Sequence, residues 1–416
     1  MERLRILRPL SVRDFRLLWI GQTVSLLGNG FFTVALAWQT VRLSDSATAL
    51  SAVLFARWLP QVLLFAVGGA VTDRASRRRV MLVADLVQGV AAAIVAVLAA
   101  AGDLQIWHLV ALAAIYGGAT AFFLPAATAI VPDIVTKELL VAANSLHSVS
   151  RYLIGQLLGP AVAGVVIAVQ GTTWAFGADA ASFAVSVTTL LLIRTLPRAS
   201  PGEGDLVTRI KEGIRYTRAH RWLWIALVVA AIGNLFAFGP LMALLPFVAD
   251  QRLDVSASGY GFLLACFGLG AAVAMLVSGQ MGAPKKRVTA IYAGWAVADL
   301  CLAGIGLTPS LVVAMILYGT MGFCLEYGNV LWVAMLQDLV PGEVLGRVSS
   351  LDWMLSVSMI PAAVAIAGPA AETVGLSTVI VVGGLGAAAV TIIGWLRPGA
   401  RDPELVAEAR DQASRI

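Results

Sequence analysis

The stretch Gly69-Ala-Val-Thr-Asp73-Arg74-Ala-Ser-Arg77-Arg78-Arg79-Val-Met81 lies between two long apolar segments and decides the fold. It is a short basic turn that carries a single acidic residue. The apolar segments on either side are about 20 residues long or longer, which is the length that a helix needs to cross a bilayer. The turn therefore indicates a connection between two membrane-spanning helices.

The composition of the whole chain agrees with a membrane setting. The 416 residues are 59% hydrophobic and only 13% charged, whereas soluble domains are about one quarter charged. Backbone groups in lipid must satisfy their own hydrogen bonds, so that only helices or closed barrels cross a membrane. Because the alternating pattern of barrel strands is absent, we predict an all-α membrane protein.

Twelve apolar segments, interrupted by polar turns, are long enough to span a bilayer. We predict transmembrane helices near 15–41, 48–72, 80–101, 104–131, 140–168, 172–195, 222–249, 257–281, 288–307, 310–339, 344–370 and 375–396. The predicted domains are an N-terminal six-helix half at 1–195, a cytoplasmic amphipathic linker at 196–221, a C-terminal six-helix half at 222–396 and a polar cytoplasmic tail at 397–416.

The distribution of positive charge predicts the orientation. Of the 29 lysines and arginines, 25 fall on the side that holds both termini, and only Arg42 and Arg252 fall in the opposite loops. Because positive loops stay in the cytoplasm, we expect both termini there and a multi-pass protein of the inner (plasma) membrane. The net charge of +5 then favours anionic lipid and does not indicate nucleic acid.

The two halves of the sequence partly match at an offset of 205 residues. The matched residues are Trp19 with Trp224, Gly28-Asn29 with Gly233-Asn234, Asp133 with Asp338, Glu138 with Glu343, and Ser145-Leu146 with Ser350-Leu351. Parallel repeats of this kind predict two pseudo-symmetric six-helix halves with a substrate path between them. The basic turn has only a weaker counterpart, Lys285-Lys286-Arg287.

Several motifs carry a resemblance to a known family. The basic turn resembles the Gly-x-x-x-Asp-Arg-x-Gly-Arg-Arg/Lys loop of the major facilitator superfamily, with Ser76 in place of the second glycine. Other stretches resemble its drug:proton antiporter branch, which includes macrolide-efflux proteins and the enterobactin exporter. These stretches are Arg57-Trp-Leu-Pro60, Gly155-Gln-Leu-Leu-Gly159-Pro160-Ala-Val-Ala163-Gly164, Phe176-Gly-Ala-Asp179-Ala-Ala-Ser182-Phe183 and Lys211-Glu-Gly-Ile-Arg-Tyr216. One departure is that Tyr116-Gly117-Gly118 occupies the region where many drug antiporters have a helix 4 arginine.

The resemblance implies a gate at the basic turn and a packing motif in the fifth helix. The expected cytoplasmic gate comprises Gly69, Asp73, Arg74, Arg77, Arg78 and Asp85, with Asp73 and Asp85 as acceptors for the arginines. The alternative is a plain positive-inside anchor. The expected antiporter motif comprises Gly155, Gly159, Pro160 and Gly164, in which the glycines allow close helix contact and the proline favours a bend.

Ionisable groups inside spans are costly and are therefore functional candidates. The candidates for proton coupling are Glu326, Asp179, Asp299, Asp352 and Arg151, with Glu326 and Asp179 leading. The alternative for Asp179 is a permanent ion pair with Arg151 or Arg57. We place Asn29, Asn234 and Arg57 in the substrate cavity, although the two asparagines could instead hydrogen-bond across their bundles.

The motifs together lead to a functional hypothesis. We expect a monomeric secondary transporter that exports an amphipathic organic compound (a drug, an antibiotic or a siderophore) by proton antiport with alternating access. The expected partners are that compound, protons and membrane lipids. The alternatives are an importer or facilitator of a small metabolite, and a membrane enzyme or receptor. No nucleotide loop, metal-ligand spacing or clustered nucleophile occurs, so no cofactor, metal or enzymatic activity is expected.

Overall fold

A computed structural model describes residues 5–194 and 206–405, without the side chains at positions 5, 73, 206–212, 342 and 343. The described residues are almost entirely helical, and none of them lies in a strand. Within residues 5–194 and 206–405, twelve helices are long and apolar enough to cross a membrane. The predicted all-α fold class with twelve transmembrane helices is therefore confirmed.

We number these helices span 1 to span 12 in chain order. Their bounds are Arg13–Leu43, Ala47–Thr72, Arg77–Ala101, Ile106–Ile134, Lys137–Gln170, Thr172–Leu192, Arg221–Arg252, Ala257–Met281, Arg287–Leu307, Leu311–Leu339, Val344–Val374 and Leu376–Leu396. Spans 4 and 10 begin and end 205 residues apart, the same offset that the sequence repeat has. The sequence pattern thus located each helix to within a few residues.

Two of the spans contain π-helical segments next to prolines. Arg151–Leu158 is π-helical within span 5, immediately before the Gly159-Pro160 pair. In span 7 the π-helical segments are Pro240–Leu244 and Val248–Arg252. Proline cannot donate a backbone hydrogen bond, and the wider π turn is one way in which a helix accommodates such a gap.

The chain divides into two compact units. Unit 1 comprises Met1–Gly202 with Pro246–Gly268, and unit 2 comprises Glu203–Leu245 with Leu269–Ile416. In unit 1, span 1 packs against spans 5 and 6, and span 3 packs against spans 4 and 6. In unit 2, span 7 packs against spans 11 and 12, and span 9 packs against spans 10 and 12. These four pairings of unit 1 therefore recur in unit 2 six spans later.

The helix in the linker, Leu206–Ala219, packs against spans 7 and 11 of unit 2. Gly213 and Thr217 are buried, and a β-carbon at Gly213 would lie 3.3 Å from the β-carbon of Arg347. Ile214 and Tyr216 pack on the hydrophobic core of unit 2. The apolar side of the C-terminal part of this amphipathic helix is therefore covered by protein.

The chain beyond span 12 folds back on unit 2 over the residues that the structure describes. Gly399 adopts a left-handed conformation with φ of +93°, which glycine reaches without steric cost. Ala400 is 1% exposed and Glu404 is 6% exposed. The first part of the predicted polar tail is thus ordered against protein, whereas residues 406–416 lie outside the description.

Candidate functional site

Asp179 of span 6 is the most enclosed carboxyl group of the candidates. It is fully buried, and neither carboxylate oxygen has a hydrogen-bond partner among the described residues. Gly28 of span 1 faces it closely, since a β-carbon at position 28 would lie 2.7 Å from Oδ1 of Asp179. Burying an ionised carboxylate without partners is far more costly than burying the neutral acid. Asp179 is therefore a buried carboxyl group to which the described residues donate no hydrogen bond.

A polar and aromatic cluster surrounds this carboxyl group in unit 1. The Tyr116 hydroxyl donates a hydrogen bond to Oδ1 of Asn29, the neighbour of Gly28. The Tyr116 ring stacks on Phe32 at 4.4 Å between centroids. The guanidinium carbon of Arg57 lies 5.4 Å from the centroid of Phe32 and 5.3 Å from that of Tyr116, a cation–π geometry. We call Asn29, Arg57, Tyr116 and Asp179 the unit 1 cluster.

The two predicted cavity residues of unit 1 form the accessible side of this cluster. Asn29 and Arg57 are half-buried, whereas Tyr116 and Asp179 are buried behind them. No described carboxylate oxygen lies within ion-pairing distance of Arg57. The structure thus gives no permanent ion pair between Asp179 and Arg57, and the accessible side carries a positive charge.

Tyr116 was not predicted as a site residue, although its stretch was singled out for lacking an arginine. A β-carbon at Gly117 would lie 1.8 Å from the carbonyl oxygen of Arg57, so that only glycine allows spans 2 and 4 to approach here. Span 2 therefore supplies a guanidinium group beside the region where span 4 lacks one. The sequence feature that could have identified Tyr116 as a site residue is a tyrosine followed by two glycines in an apolar helix.

Asp85 does not join the arginines of the basic turn, contrary to the prediction. It is 1% exposed and accepts a hydrogen bond from Oγ of Ser186 at 2.7 Å, which links spans 3 and 6. Asp299 accepts a similar bond from Oγ1 of Thr391 at 3.0 Å, which links spans 9 and 12. Ser186 and Thr391 are 205 residues apart. The two hydroxyl groups therefore occupy equivalent positions of the repeat, whereas their carboxyl partners, Asp85 and Asp299, are 214 residues apart and do not.

The arginines of the basic turn have other partners. Arg77 forms an ion pair with Asp133 at 2.5 Å and donates to the carbonyl of Ala129 at 2.8 Å. Asp133 was recognised only as a repeat residue, so its role as the acid partner was missed. Arg74 is exposed, a β-carbon at Gly69 would meet no atom within 4 Å, and the side chain of Asp73 lies outside the described residues.

Arg78 ties span 3 to the end of span 6. Its Nε donates to the carbonyl of Leu190 at 2.6 Å, and its Nη2 donates to the carbonyl of Leu191 at 2.7 Å. Carbonyls in the last turn of a helix lack partners within the helix, and a cation there also interacts favourably with the helix dipole. Arg78 therefore caps span 6 instead of pairing with Asp85.

Unit 2 contains a counterpart of the Arg77 ion pair. Arg287 pairs with Asp338, and Arg77 and Arg287 are each the first residue of their span. Asp338 is also the repeat mate of Asp133. The side chains in unit 1 are 19% and 25% exposed, against 38% and 56% in unit 2. The unit 2 pair is therefore more open to solvent.

The remaining candidates of unit 2 are dispersed. Asp352 accepts a bond from Nε1 of Trp332 at 3.1 Å, and Nδ2 of Asn234 donates to the carbonyl of Ser356 at 2.7 Å. Glu326 is half-buried in span 10. The two repeated asparagines both hydrogen-bond across their own bundles, as the alternative interpretation had it. In unit 1, Arg151 is exposed and its guanidinium carbon lies 5.1 Å from the ring of Tyr152.

The span 5 motif makes two close backbone contacts within unit 1. A β-carbon at Gly30 of span 1 would lie 2.6 Å from Cα of Gly159. A β-carbon at Gly164 would lie 3.0 Å from Cα of Gly261. Gly155, in contrast, has room, since a β-carbon there would lie 3.5 Å from the Leu26 side chain. Gly159 and Gly164 thus serve close helix packing.

Comparison with known proteins identifies the family. A family described as "Transmembrane secretion effector" matches residues 5–412. This chain belongs to the transmembrane secretion effector family of the major facilitator superfamily. The chain is 24% identical over 369 residues to "Macrolide efflux protein A" of Streptococcus pyogenes, with 87% of this chain and 90% of that protein covered.

Other relatives and solved structures agree with this assignment. The "Multidrug efflux pump Tap" of Mycolicibacterium fortuitum is 27% identical (84% of this chain and 87% of that protein), and the "Enterobactin exporter EntS" of Escherichia coli is 24% identical (81% and 80%). The nucleoside transporter NupG has a TM-score of 0.68 at 14% identity (92% and 98%). A bacterial homologue of the lysosomal transporter Spinster has a TM-score of 0.66 at 14% identity (95% and 96%). These structures share the fold of this chain, which is a multi-pass membrane transporter.

Proposed function

We propose that this transporter exports an amphipathic organic compound in exchange for protons, by alternating access. The observation that carries the proposal is a fully buried, unpartnered carboxyl group, Asp179, directly behind the half-buried Asn29 and Arg57. The efflux of macrolides, of several drugs and of enterobactin is named for three relatives. The named relatives support the direction of transport and the chemical class of the cargo.

Asp179 is the proton carrier in this proposal. In its enclosed state the carboxyl group receives no hydrogen bond from a described donor, and burial without such bonds penalises the ionised form. In this proposal, Asp179 holds its proton in that state. When the cluster opens to water, the proton can leave and the carboxylate is solvated. Asp299 and Asp352 accept hydrogen bonds from Thr391 and Trp332, which stabilise an ionised form in place. They are therefore less suited to release a proton on a conformational signal.

The unit 1 cluster also provides the substrate contacts. The half-buried Asn29 and Arg57 provide the accessible polar contacts. The Phe32 and Tyr116 rings, which are buried in this state, become apolar substrate contacts when the cluster opens. A compound that donates hydrogen bonds to the ionised Asp179 stabilises the deprotonated state. Substrate and proton then compete for one group, which is the condition that exchange in opposite directions requires.

The ion pairs Arg77–Asp133 and Arg287–Asp338 are the proposed gates. Each joins the start of one span to the end of the next and must loosen if those ends separate. The charge distribution, with 25 of 29 cationic side chains on one side, supports placing both gates and both termini in the cytoplasm. The protein would then reside in the inner membrane and act as a monomer.

Proton release from inside-out vesicles tests this proposal. We expect acid-loaded vesicles with the wild-type protein to lose protons when a suitable amphiphile is added, with erythromycin as the first probe. The variant Asp179→Asn should lose at least nine-tenths of this compound-dependent release, because its amide cannot carry the proton. The control Asp103→Asn changes an exposed turn residue and should behave like the wild type. Undiminished release in Asp179→Asn would refute the role of Asp179.

A further inference from the structure

Glu404 lies beyond span 12 and is nearly fully buried, with 6% exposure. Its Oε1 accepts a hydrogen bond from the backbone N–H of Thr289 at 2.6 Å, and its Oε2 accepts one from Oγ1 of Thr289 at 2.9 Å. Thr289 is the third residue of span 9, so its amide belongs to the first turn, where no partner within the helix exists. A carboxylate is favoured at this end of a helix by the dipole.

The span itself does not provide this cap. Lys286, the residue before span 9, makes no side-chain hydrogen bond to the first turn. Glu404 therefore caps the N-terminus of span 9 from 115 residues away. A serine or aspartate directly before the helix commonly provides such a cap. Both oxygens of the buried carboxylate are used, which offsets the cost of its burial.

Neighbouring contacts hold the segment in place. Nε1 of Trp395 donates to Oγ1 of Thr289 at 3.4 Å, and the guanidinium carbon of Arg401 lies 5.1 Å from the Trp395 ring. Backbone bonds from Ala400 to Arg397 and from Glu404 to Arg401 close the turns between them. The segment Arg397–Leu405 is therefore built to present Glu404 to span 9.

Unit 1 ties the equivalent spans with the opposite polarity. There, Arg78 at the start of span 3 donates to carbonyls at the end of span 6. In unit 2, the second residue of span 9 is Val288, which is 1% exposed and has no charge to donate. Instead, the carboxylate of Glu404, beyond span 12, accepts a hydrogen bond from the backbone N–H of Thr289 at the start of span 9. Both units thus join the same two helix ends.

The contact between Glu404 and Thr289 lies next to the proposed gate of unit 2. Arg287, which pairs with Asp338, is two residues before Thr289. This ion pair is more exposed than its counterpart in unit 1, and exposed pairs contribute little by themselves. Because Glu404 holds the first turn of span 9 in place, it also fixes the backbone position from which the Arg287 side chain reaches Asp338.

We propose that the segment Arg397–Leu405 is a latch, and that Glu404 is a positioning residue for the Arg287–Asp338 gate. The latch rests on the proposed function insofar as that ion pair acts as a gate. Loss of Glu404 loosens the first turn of span 9 and alters the rate at which unit 2 changes conformation. We expect substrate affinity to stay unchanged, because the described hydrogen-bond partner of Glu404 is Thr289 in unit 2, which is not a member of the unit 1 cluster.

Hydrogen–deuterium exchange in the purified, full-length protein tests the latch without any substrate. We expect the amides at the start of span 9 (residues 287–292) to exchange at least fivefold faster in Glu404→Ala, with an intermediate effect in Glu404→Gln, which keeps one acceptor. The control Asp402→Asn removes an exposed carboxylate from the same turn and should leave exchange unchanged. If Glu404→Ala does not fold, Thr289→Val removes the hydroxyl half of the contact and should also accelerate exchange. Unchanged exchange in the folded variants would overturn the latch.

Transport by the double variant tests the link to the gate. We expect Glu404→Ala to lower the maximal rate of erythromycin efflux by about threefold or more per folded molecule at unchanged KM. In that background, Asp338→Asn should cause little further loss, because the ion pair is already misplaced. A full additional loss in Glu404→Ala/Asp338→Asn would overturn the positioning role. Since exchange is measured without substrate, failure of the proposed export would not affect that first result.

Discussion

The guanidinium of Arg77 lies 2.5 Å from the carboxylate of Asp133, and Arg287 forms the corresponding ion pair with Asp338 in unit 2. The two acidic residues are 205 residues apart, and the two arginines each begin their span. One contact has therefore been kept in both copies of the repeat, although the surrounding turns differ in sequence. Because both units retain this contact, it is suited to act as the gate in the proposed transport cycle.

The two ion pairs should differ in strength. We expect Asp133→Asn to lower the free energy of unfolding by roughly 1 kcal/mol and Asp338→Asn by less, because exposed pairs are weakened by solvent. Thermal unfolding of the purified variants measures the difference. Export should slow in both variants, and the swapped pair Arg77→Asp/Asp133→Arg should recover part of the loss. Equal destabilisation by the two single variants would contradict this ranking.

Gly28 should not tolerate a side chain. A β-carbon there would lie 2.1 Å from Oγ of Ser182 and 2.7 Å from Oδ1 of Asp179, so that Gly28→Ala forces the two spans apart. Overpacking of this kind costs about 1–3 kcal/mol, and we expect a matching drop in thermal stability together with impaired export. The control Gly177→Ala in span 6 meets no atom within 4 Å and should unfold at the wild-type temperature or above it. A stable, active Gly28→Ala variant would argue against the packing described for Asp179.

The Tyr116 hydroxyl should matter more than other buried hydroxyls. Tyr116→Phe keeps the ring against Phe32 and Arg57 but removes the donor to Asn29. We expect a loss of about 1 kcal/mol of stability and a several-fold rise in the KM of efflux, because Asn29 is no longer oriented. Tyr292 is the matched control, since its buried hydroxyl has no hydrogen-bond partner among the described residues. Tyr292→Phe should be neutral, and a similar loss in both variants would show that the ring environment alone is responsible.

The glycines of the span 5 motif should separate by position. Gly164→Ala would place a β-carbon 2.6 Å from the carbonyl oxygen of Ala257, and a backbone atom cannot move aside easily. We expect a loss of about 1–3 kcal/mol in unfolding measurements and slower export. Gly155→Ala meets only the Leu26 side chain at 3.5 Å and should be tolerated. A motif that needed every glycine for local flexibility would instead lose function at both positions.

Hydropathy, the positive-charge distribution and the 205-residue repeat were sufficient to predict the fold class and the approximate spans. These properties are local, because about 20 consecutive apolar residues decide that a helix enters lipid, whatever it later contacts. The repeat also aligned Asp133 with Asp338 before any contact was known. The family resemblance came from the same source, because its motifs are short runs of consecutive residues.

The pairing of side chains was decided only by the tertiary structure. The basic turn suggested Asp73 and Asp85 as partners for its arginines because they are near in sequence. Arg77 instead reaches the end of span 4, and Arg78 reaches the end of span 6. Likewise, nothing near Glu404 in sequence indicated that it caps a helix that begins more than 100 residues earlier.

The physical reason is the same in each case. A span is stable in the bilayer because its own side chains are apolar, and this property can be read directly from its sequence. A buried polar group must find a partner of opposite character at hydrogen-bonding distance, and that partner depends on which helix faces share an interface. The sequence by itself therefore determined that twelve helices cross the membrane in two related sets. Only their packing decided that Tyr116 meets Asn29, Asp133 meets Arg77 and Glu404 meets Thr289.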